Sequence, residues 1–426
     1  MSRNVSSPGQ PVSPVHWKRT FYTVWASQFL SIMGFSFALP FAPYYIQELG
    51  ITDPVKLKIW VALFASATAV SLAIFSPIWG LLADRYGRRL MLLRANLAGC
   101  VVMSLMGFAR SVEDLVFLRL MQGMFTGTMT AAQALVASQA PKHRSGYALG
   151  TLSAAVFSGS LTGSALGGVC AHFFGYRASF VMSGLLLLVA ALLVLFGVLE
   201  PVSAQPVDVK PATGEKRDWH RMGPAMPILI LLIAIAFVRQ FDAAYVPLLV
   251  QEIHGSLEGA SLWTGGLTAV GGVAGLLAGV VLGRLSDRMS PPALGKTTAL
   301  GAALLMAPQA FATGFLLLFA TRFGAIFCSG GLDPVFQIWL SKVTPESKRG
   351  FVFGWAGTAR SVGWIMAPLC AALVASRFGI RAVFLVSSAL FLLTIPLITF
   401  VVRHLDLRHG LKDGNPNLAL PVNLED

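Results

Sequence analysis

The sequence predicts an all-α membrane protein with twelve transmembrane helices, arranged as two pseudo-symmetric six-helix bundles. Three observations predict this fold: the composition, the number of long apolar runs and an internal repeat. Hydrophobic residues make up 55% of the 426 residues and charged residues only 12%. A soluble domain carries about 25% charged residues. Most of this chain must therefore face lipid, and a lipid bilayer is its first predicted partner.

Each apolar run is long enough to cross a bilayer, which takes about 20 residues in a helix. A segment in lipid must satisfy its own backbone hydrogen bonds, so the runs are predicted to be helical. Only Thr313 and Gly314 separate the ninth run from the tenth. The predicted spans are 20–47, 59–83, 90–109, 115–139, 147–171, 178–198, 225–251, 260–283, 296–312, 315–341, 351–376 and 382–402.

The spans fall into two sets of six, separated by one long polar segment that is rich in proline and basic residues. The first apolar run, which begins at Phe21, is too long for the core of a cleaved signal sequence, so we expect it to remain as the first span. The predicted organisation is an N-terminal tail at 1–19, a bundle at 20–198, a linker at 199–224, a second bundle at 225–402 and a C-terminal tail at 403–426.

The net charge of +13 is distributed unevenly across the membrane. Of the 32 Lys and Arg residues, 22 fall on the side of the termini and the linker, 6 on the opposite side and 4 inside spans. Basic residues accumulate on the cytoplasmic side of membrane proteins. We therefore expect both termini in the cytoplasm and the chain in a bacterial inner membrane. The basic charge is explained by topology and anionic lipid headgroups, so it does not indicate nucleic acid as a partner.

An internal repeat relates the two halves. Pro43, Gln47 and Glu48 recur 204 positions later, and the string at 174–178 recurs at 378–382. Further matches, at offsets of 203 or 204, are Asp84-Arg85 with Asp287-Arg288, Arg119 with Arg322, and Pro141 and Gly146 with Pro345 and Gly350. Parallel repeats of this kind are a known transporter plan, with the substrate cavity between the halves near the bilayer midplane.

Three motifs carry a family resemblance. The segment 80–89, GLLADRYGRR, resembles the signature loop between helices 2 and 3 of the major facilitator superfamily. Leu118-Arg119 with Gln122-Gly123 is similar to its helix-4 motif. The helix-5 glycines resemble the pattern of its drug:proton antiporter branch, namely Gly150, Gly159, Gly163 and Gly167. The resemblance implies twelve helices, small-molecule substrates and export driven by protons. We expect a monomer that needs no cofactor beyond the proton gradient.

The signature loop is predicted to gate the transport pathway. Glycine at position 80 would let two helices approach closely, and the resemblance implies that Asp84 faces the start of helix 11 near Gly350. A carboxylate at a helix N-terminus gains about 0.3–1 kcal/mol, which suits a latch that must release. The alternative is a basic loop that only sets topology. The predicted gating residues are Gly80, Asp84, Arg85, Gly87 and Arg88, with Asp287 and Arg288 in the second half.

Six charged residues lie inside predicted spans: Arg119, Arg239, Asp242, Arg322, Asp333 and Arg360. Each costs at least about 2.5–3.5 kcal/mol at the bilayer centre, so each is a functional candidate. Arg239 and Asp242 are three residues apart on one helix face, which predicts an ion pair between them. Burial favours a protonated carboxylate and a nearby arginine favours the charged form. The proton-coupling candidates are Asp242, Asp333, Arg119 and Arg239; the alternative is structural salt bridges.

Two further groups of residues are predicted to serve transport. The helix-5 glycines are predicted to form a small-residue interface with helix 8 that can move, or else to serve simple packing. Polar and aromatic residues within spans are predicted to line the substrate cavity, although structural amides and lipid-facing phenylalanines are common. These candidates are Gln28, Phe35, Gln133, Phe241, Tyr245, Gln337 and Arg360.

Other function classes find little support in the sequence. It contains no phosphate-binding loop, no HExxH or GxSxG motif and no cluster of metal ligands, so we expect neither an enzyme nor an ATP-driven pump. The four cysteines lie in apolar runs and are expected to be unpaired. The alternative within transport is a dedicated exporter or importer of one metabolite, such as an anionic siderophore, because the six intramembrane charges sum to +2. A passive facilitator would ignore the proton gradient.

Overall fold

The computed structural model describes residues 14–125, 127–139, 145–198, 226–286, 288–344 and 349–410, and these are almost entirely helical. The helices are α1 (Pro14–Ala38), α2 (Ala42–Glu48), α3 (Pro54–Tyr86), α4 (Arg88–Gly107), α5 (Val112–Phe125), α6 (Thr128–Gln139), α7 (Ser145–Gly197), α8 (Met226–Phe241), α9 (Val246–His254), α10 (Ala260–Ser286), α11 (Pro291–Met306), α12 (Phe315–Gly330), α13 (Leu332–Val343), α14 (Arg349–Phe378) and α15 (Ile380–Gly410).

These helices form twelve spans, as predicted. Spans 1, 4, 7 and 10 are each broken into two helices: α1 with α2, α5 with α6, α8 with α9, and α12 with α13. The long helix α7 contains spans 5 and 6, which meet at a kink at Gly175. Among the described residues, nine segments are long and apolar enough to cross a membrane by length and composition. The predicted all-α membrane fold is therefore confirmed.

The breaks follow from local chemistry. In span 1, a 3₁₀ turn at Leu39–Phe41 contains Pro40, which has no N–H to donate to the α-helical ladder. Span 7 has the equivalent 3₁₀ turn at Ala243–Tyr245. Discontinuous helices near the midplane are typical of transporter substrate sites. The breaks thus indicate where the functional site lies along each half.

The repeat is visible in the backbone as well as in the sequence. Gly175 and Gly379 lie 204 positions apart and have φ angles of 81° and 87°. A residue with a side chain rarely adopts this conformation, so both copies need glycine to turn the chain between neighbouring spans. The repeated strings at 174–178 and 378–382, which share the pattern FG-x-R-A, are therefore matching turns of the two bundles.

Two predicted boundaries differ from the structure. Helix α1 begins at Pro14 rather than at 20, because Trp17 packs into a buried cluster with Phe21 and Val24. Helix α15 runs to Gly410 rather than ending at 402. The predicted linker at 199–224 lies outside the described residues.

With twelve spans, the start of α1 and the end of α15 lie on one side of the protein, here called the terminal side; the opposite side is called the distal side. Distal turns include 49–53 and 255–259. The largest buried cluster contains residues of both halves, including Tyr45 and Tyr245. The halves also pack through α3 against α14 and through α7 against α10. This arrangement places a cavity between the two bundles.

Candidate transport site

A cavity of about 350 Å³ lies between the halves, beside the breaks in spans 1 and 7. The first half provides Pro40, Phe157 and Ser160, and the second provides two basic side chains, Arg239 and Arg322. The other lining residues are Ala243, Val246, Pro247, Leu267, Thr268, Gly271, Gly272, Gly275, Ile326 and Gly330. One wall is therefore mainly apolar and the other carries charge, which suits an amphipathic ligand.

Both cavity arginines form ion pairs with aspartates from other spans. Arg239 on α8 binds Asp333 at the start of α13, and Arg322 on α12 binds Asp242. The predicted pair between Arg239 and Asp242 is therefore wrong. The spacing rule applies within one helix, but α8 ends at Phe241 and Asp242 already precedes the 3₁₀ turn. Two ion pairs thus join spans 7 and 10 around the cavity.

The two ion pairs differ in burial. The side chains of Arg322 and Asp242 are only 12% and 2% exposed, whereas those of Arg239 and Asp333 are 31% and 19% exposed. Asp242 also accepts a hydrogen bond from Ser387 Oγ at 3.4 Å. The second oxygen of Asp333, Oδ1, is buried without a hydrogen-bond partner among the described residues. The Arg239–Asp333 pair is therefore the more accessible and the less completely satisfied of the two.

Arg119 forms no ion pair with an acid among the described residues. Its guanidinium donates to the Gln122 side-chain oxygen and lies 4.8 Å from the centre of the Phe64 ring. Its Nε is buried and has no hydrogen-bond partner in the described part of the chain. Arg360 on α14 likewise contacts no acid among the described residues. The predicted coupling residue Arg119 therefore lies apart from the two ion pairs.

None of the seven predicted cavity residues lines the cavity. Phe241 is buried against Phe237, with ring centres 5.5 Å apart. Phe35 lies against the glycine at position 99 of α4. Of the remaining candidates, Gln28 is fully buried. Three others are half-buried, namely Gln133, Gln337 and Arg360. Both amide atoms of Gln28, Oε1 and Nε2, are buried without a hydrogen-bond partner among the described residues.

Tyr245, the seventh candidate, connects the two halves instead. Its hydroxyl donates to the backbone oxygen of Lys58 at 3.0 Å, and also lies 3.3 Å from that of Pro368. On neighbouring helices, Ser66 Oγ donates to Ile365 O at 2.9 Å. All of these bonds lie toward the distal side. The two halves are therefore joined by hydrogen bonds on the distal side of the cavity.

The helix-5 glycines pack against span 1, not against span 8 as predicted. A Cβ added at Gly163 would lie 2.3 Å from Met33 O, and one at Gly167 would lie 2.0 Å from Phe37 O. Gly159 is equally close to α1, whereas Gly150 has open space around it. The contact with span 8 is made by the neighbouring face of α7. There the backbone of α7 at Gly168 packs directly against the backbone of α10.

The predicted gate loop is described only in part. Helix α3 ends at Tyr86, and Gly87 has a φ of 90° that lets α4 start at the next residue, Arg88. Arg85 is exposed and lies 5.4 Å from the Tyr86 ring centre. Arg288 is exposed and donates its backbone N–H to Leu285 O. The surroundings of Gly80, the side chain of Asp84 and all of Asp287 lie outside the described part of the chain.

Several site residues were missed by sequence reasoning. Phe157 and Ser160 lie on the same helix as the predicted glycines but on another face, so the glycine pattern pointed to the correct helix. Pro40 was available as a signal, because a proline inside an apolar span predicts a break. Arg322 stood out as an intramembrane charge, but nothing in the sequence indicated its partner.

Comparison with known proteins identifies the family. The family model of the Major Facilitator Superfamily matches residues 24–315 and 296–419. The chain belongs to the major facilitator superfamily. The fold of this superfamily member agrees with solved transporter structures. A nucleoside transporter, NupG, has a TM-score of 0.74 at 10% identity, covering 90% of this chain and 99% of that one. A bacterial homologue of the lysosomal transporter Spinster, in an inward-facing and occupied conformation, has a TM-score of 0.72 at 15% identity, covering 94% and 98%.

Curated relatives are more similar in sequence. The "Multidrug resistance protein MdtG" of Escherichia coli (strain SMS-3-5 / SECEC) is 34% identical over 389 residues, covering 91% of this chain and 95% of the relative. The protein of the same name from Rahnella sp. (strain Y9602) is 34% identical over 388 residues, covering 90% and 94%. The resemblance to the multidrug-efflux type of the superfamily is thereby confirmed, and the chain is a multi-pass membrane transporter.

Proposed function

We propose that this protein exports small amphipathic compounds in exchange for protons, by alternating access of its central cavity. The observation that carries the proposal is the Arg239–Asp333 ion pair, because one partner borders the cavity and neither is fully buried. The amphipathic lining fits drug-like molecules. The curated relatives, which cover nearly the whole chain, are multidrug resistance proteins.

We assign the binding and release of the transported proton to the carboxylate of Asp333. When Arg239 moves away during the conformational change, Asp333 is left as a buried charge without a cation. A buried unpaired carboxylate is costly and becomes neutral by taking up a proton. The Asp242–Arg322 pair is more deeply buried and better satisfied. We assign that pair a structural role in holding spans 7 and 10 together.

The proposed setting follows from the charge distribution. The terminal side faces the cytoplasm of a bacterial inner membrane and the distal side faces outward, because 22 of the 32 Lys and Arg residues lie at the terminal side. The protein works as a monomer, performs no enzymatic chemistry and needs no cofactor, since the proton gradient supplies the energy. One proton crossing about 100 mV provides about 2.3 kcal/mol.

The test compares Asp333→Asn with Asp242→Asn in energised inverted vesicles, with a fluorescent amphipathic dye supplied in the medium. Uphill transport by Asp333→Asn should be lost, while exchange of labelled for unlabelled dye continues, because exchange needs no proton. Asp242→Asn, normalised to folded protein, should retain uphill transport. If Asp333→Asn still concentrates dye and loses this only with an uncoupler, the assignment is wrong. Wild-type transport that survives an uncoupler would reject antiport itself.

A second candidate is transport of one anionic metabolite. It is favoured by Arg119, whose contacts are an amide and a ring rather than an acid, and by Arg360, which has no acidic partner among the described residues. Anionic compounds such as siderophores and cationic dyes should be compared in the same vesicles. Movement of the anion alone would select this candidate over multidrug export.

A further inference from the structure

Two glutamines at equivalent positions of the repeat hold each other across the two halves. Gln47 lies near the end of α2 and Gln251 lies 204 positions later, near the end of α9. Gln47 Nε2 donates to Gln251 Oε1 at 2.8 Å, and Gln251 Nε2 donates to Gln47 Oε1 at 2.9 Å. Each amide therefore satisfies the other, at the distal end of the first span of each half.

The residues next to these glutamines are charged, yet their ion pairs stay within one half. Glu48 pairs with Arg177 at 3.8 Å in the first half, and Glu252 pairs with Arg381 at 2.6 Å in the second. These arginines belong to the two repeated FG-x-R-A turns. Each half thus braces the end of its own first span, and this holds the glutamine at a set position.

The hydrogen bonds that cross between the halves have neutral acceptors. Besides the glutamine pair, the Tyr44 hydroxyl bonds Pro247 O at 2.6 Å and the Thr264 hydroxyl at 2.6 Å. Each of the four ion pairs described above, of Arg177, Arg239, Arg322 and Arg381, lies within one half. One crossing bond, from Lys58 Nζ to Ala375 O at 2.9 Å, has a charged donor, but its acceptor is again neutral. Hydrogen bonds to neutral acceptors exchange with water, whereas leaving one member of a buried ion pair unpaired is far more costly. The crossing contacts are therefore of the kind that can open and close in each transport cycle.

We propose that Gln47 and Gln251 form the latch that closes the distal side of the transport pathway, and that both bonds break each time the cavity opens to that side. The latch does not depend on which residue carries the proton. It follows from the symmetric position of the two amides and from the braces that hold them. Its failure would leave the proposed export function untouched.

Cross-linking tests the latch directly. In a variant whose four native cysteines are replaced by serine, Gln47→Cys and Gln251→Cys are joined by a short bifunctional thiol reagent that a reductant can cleave. A spacer is needed because the native side chains meet only at their ends. Transport should be lost on cross-linking and restored on cleavage. The matched control joins His254→Cys and Glu258→Cys, a distal pair within the second half that lies outside both braces, and should transport equally with and without the cross-link. Full transport by the cross-linked 47–251 pair would overturn the proposal.

A second experiment covers the case in which the cysteine variants do not fold. Ser66, whose hydroxyl bonds Ile365 O across the two halves, is 4% exposed, so labelling of Ser66→Cys by an impermeant maleimide reports distal opening. Gln47→Glu with Gln251→Glu places two negative charges together, and labelling should rise on the order of tenfold, as expected for losing two hydrogen bonds. Gln47→Glu with Gln251→Lys should instead label no faster than the native pair. Equal labelling in all three would contradict the latch.

Discussion

Replacing Arg322 by glutamine should destabilise the protein far more than the same change at Arg239. Asp242, the partner of Arg322, is 2% exposed at its side chain, so its carboxylate stays largely shielded from water when the guanidinium is lost. Breaking a buried pair by removing one partner costs about 3–5 kcal/mol. Arg239 and Asp333 are 31% and 19% exposed, and water reaches that site. For Arg239→Gln we expect roughly 1–2 kcal/mol, between the values for exposed and buried pairs.

The assay is chemical unfolding of purified protein in detergent micelles, followed by the fluorescence of the nine tryptophans. The double variant Asp242→Asn with Arg322→Gln completes a double-mutant cycle. Because the double variant leaves no buried charge, it should recover most of the stability that Arg322→Gln loses. If Arg322→Gln costs no more than Arg239→Gln, or if the double variant is as unstable as the single one, the burial argument is refuted.

Two further predictions concern packing and pH. Gly163→Ala should lower the free energy of unfolding by about 1–3 kcal/mol, because its Cβ would overlap a backbone carbonyl of α1. Gly150→Ala is the control and should be neutral, since the space around Gly150 is open. Equal thermal stability of the two variants would contradict the packing described for helix 5. Backbone hydrogen bonds, first from Lys56, hold the pKa of Asp53 below its usual value. The ionised Asp53 carboxylate therefore stabilises the fold above the ordinary aspartate pKa, and this stabilisation is lost as the pH falls through the lowered pKa of the folded protein. The melting temperature of Asp53→Asn should consequently fall less steeply on acidification than that of the unmodified protein.

Much of the fold could be predicted because lipid imposes a simple requirement. Each span must be long, apolar and internally hydrogen-bonded, and this makes the twelve segments visible in a single sequence. The repeat was equally visible, and the matched glycines Gly175 and Gly379 show why it persists. Helix ends were less predictable, since α1 starts at Pro14 for the sake of tertiary packing by Trp17.

The site was predicted less well because its contacts join distant parts of the chain. Spacing identified Arg239 and Asp242 as unusual charges, but it could not show that each binds a residue 80 or more positions away. Spacing likewise showed that helix 5 presents a close-packing face, without showing that the face meets α1. The most useful signal for contacts between the halves lies in the repeat. Gln47 and Gln251 recurred in register, and residues preserved at equivalent positions in two halves can meet at the symmetry axis.

If Asp333 carries the proton, the charge of the substrate sets the direction of coupling. With the ion pair formed, Arg239 and Asp333 together add no net charge to the cavity; once Asp333 is protonated, Arg239 adds one positive charge. Protonation then weakens the binding of a cation and strengthens the binding of an anion, and linkage makes each effect reciprocal. A cationic substrate therefore leaves as a proton enters, which is antiport and drives export. An anion would bind together with the proton and move inward with it. Measuring whether acidification weakens or strengthens substrate binding to the purified protein thus separates the exporter from the anion importer without any transport assay.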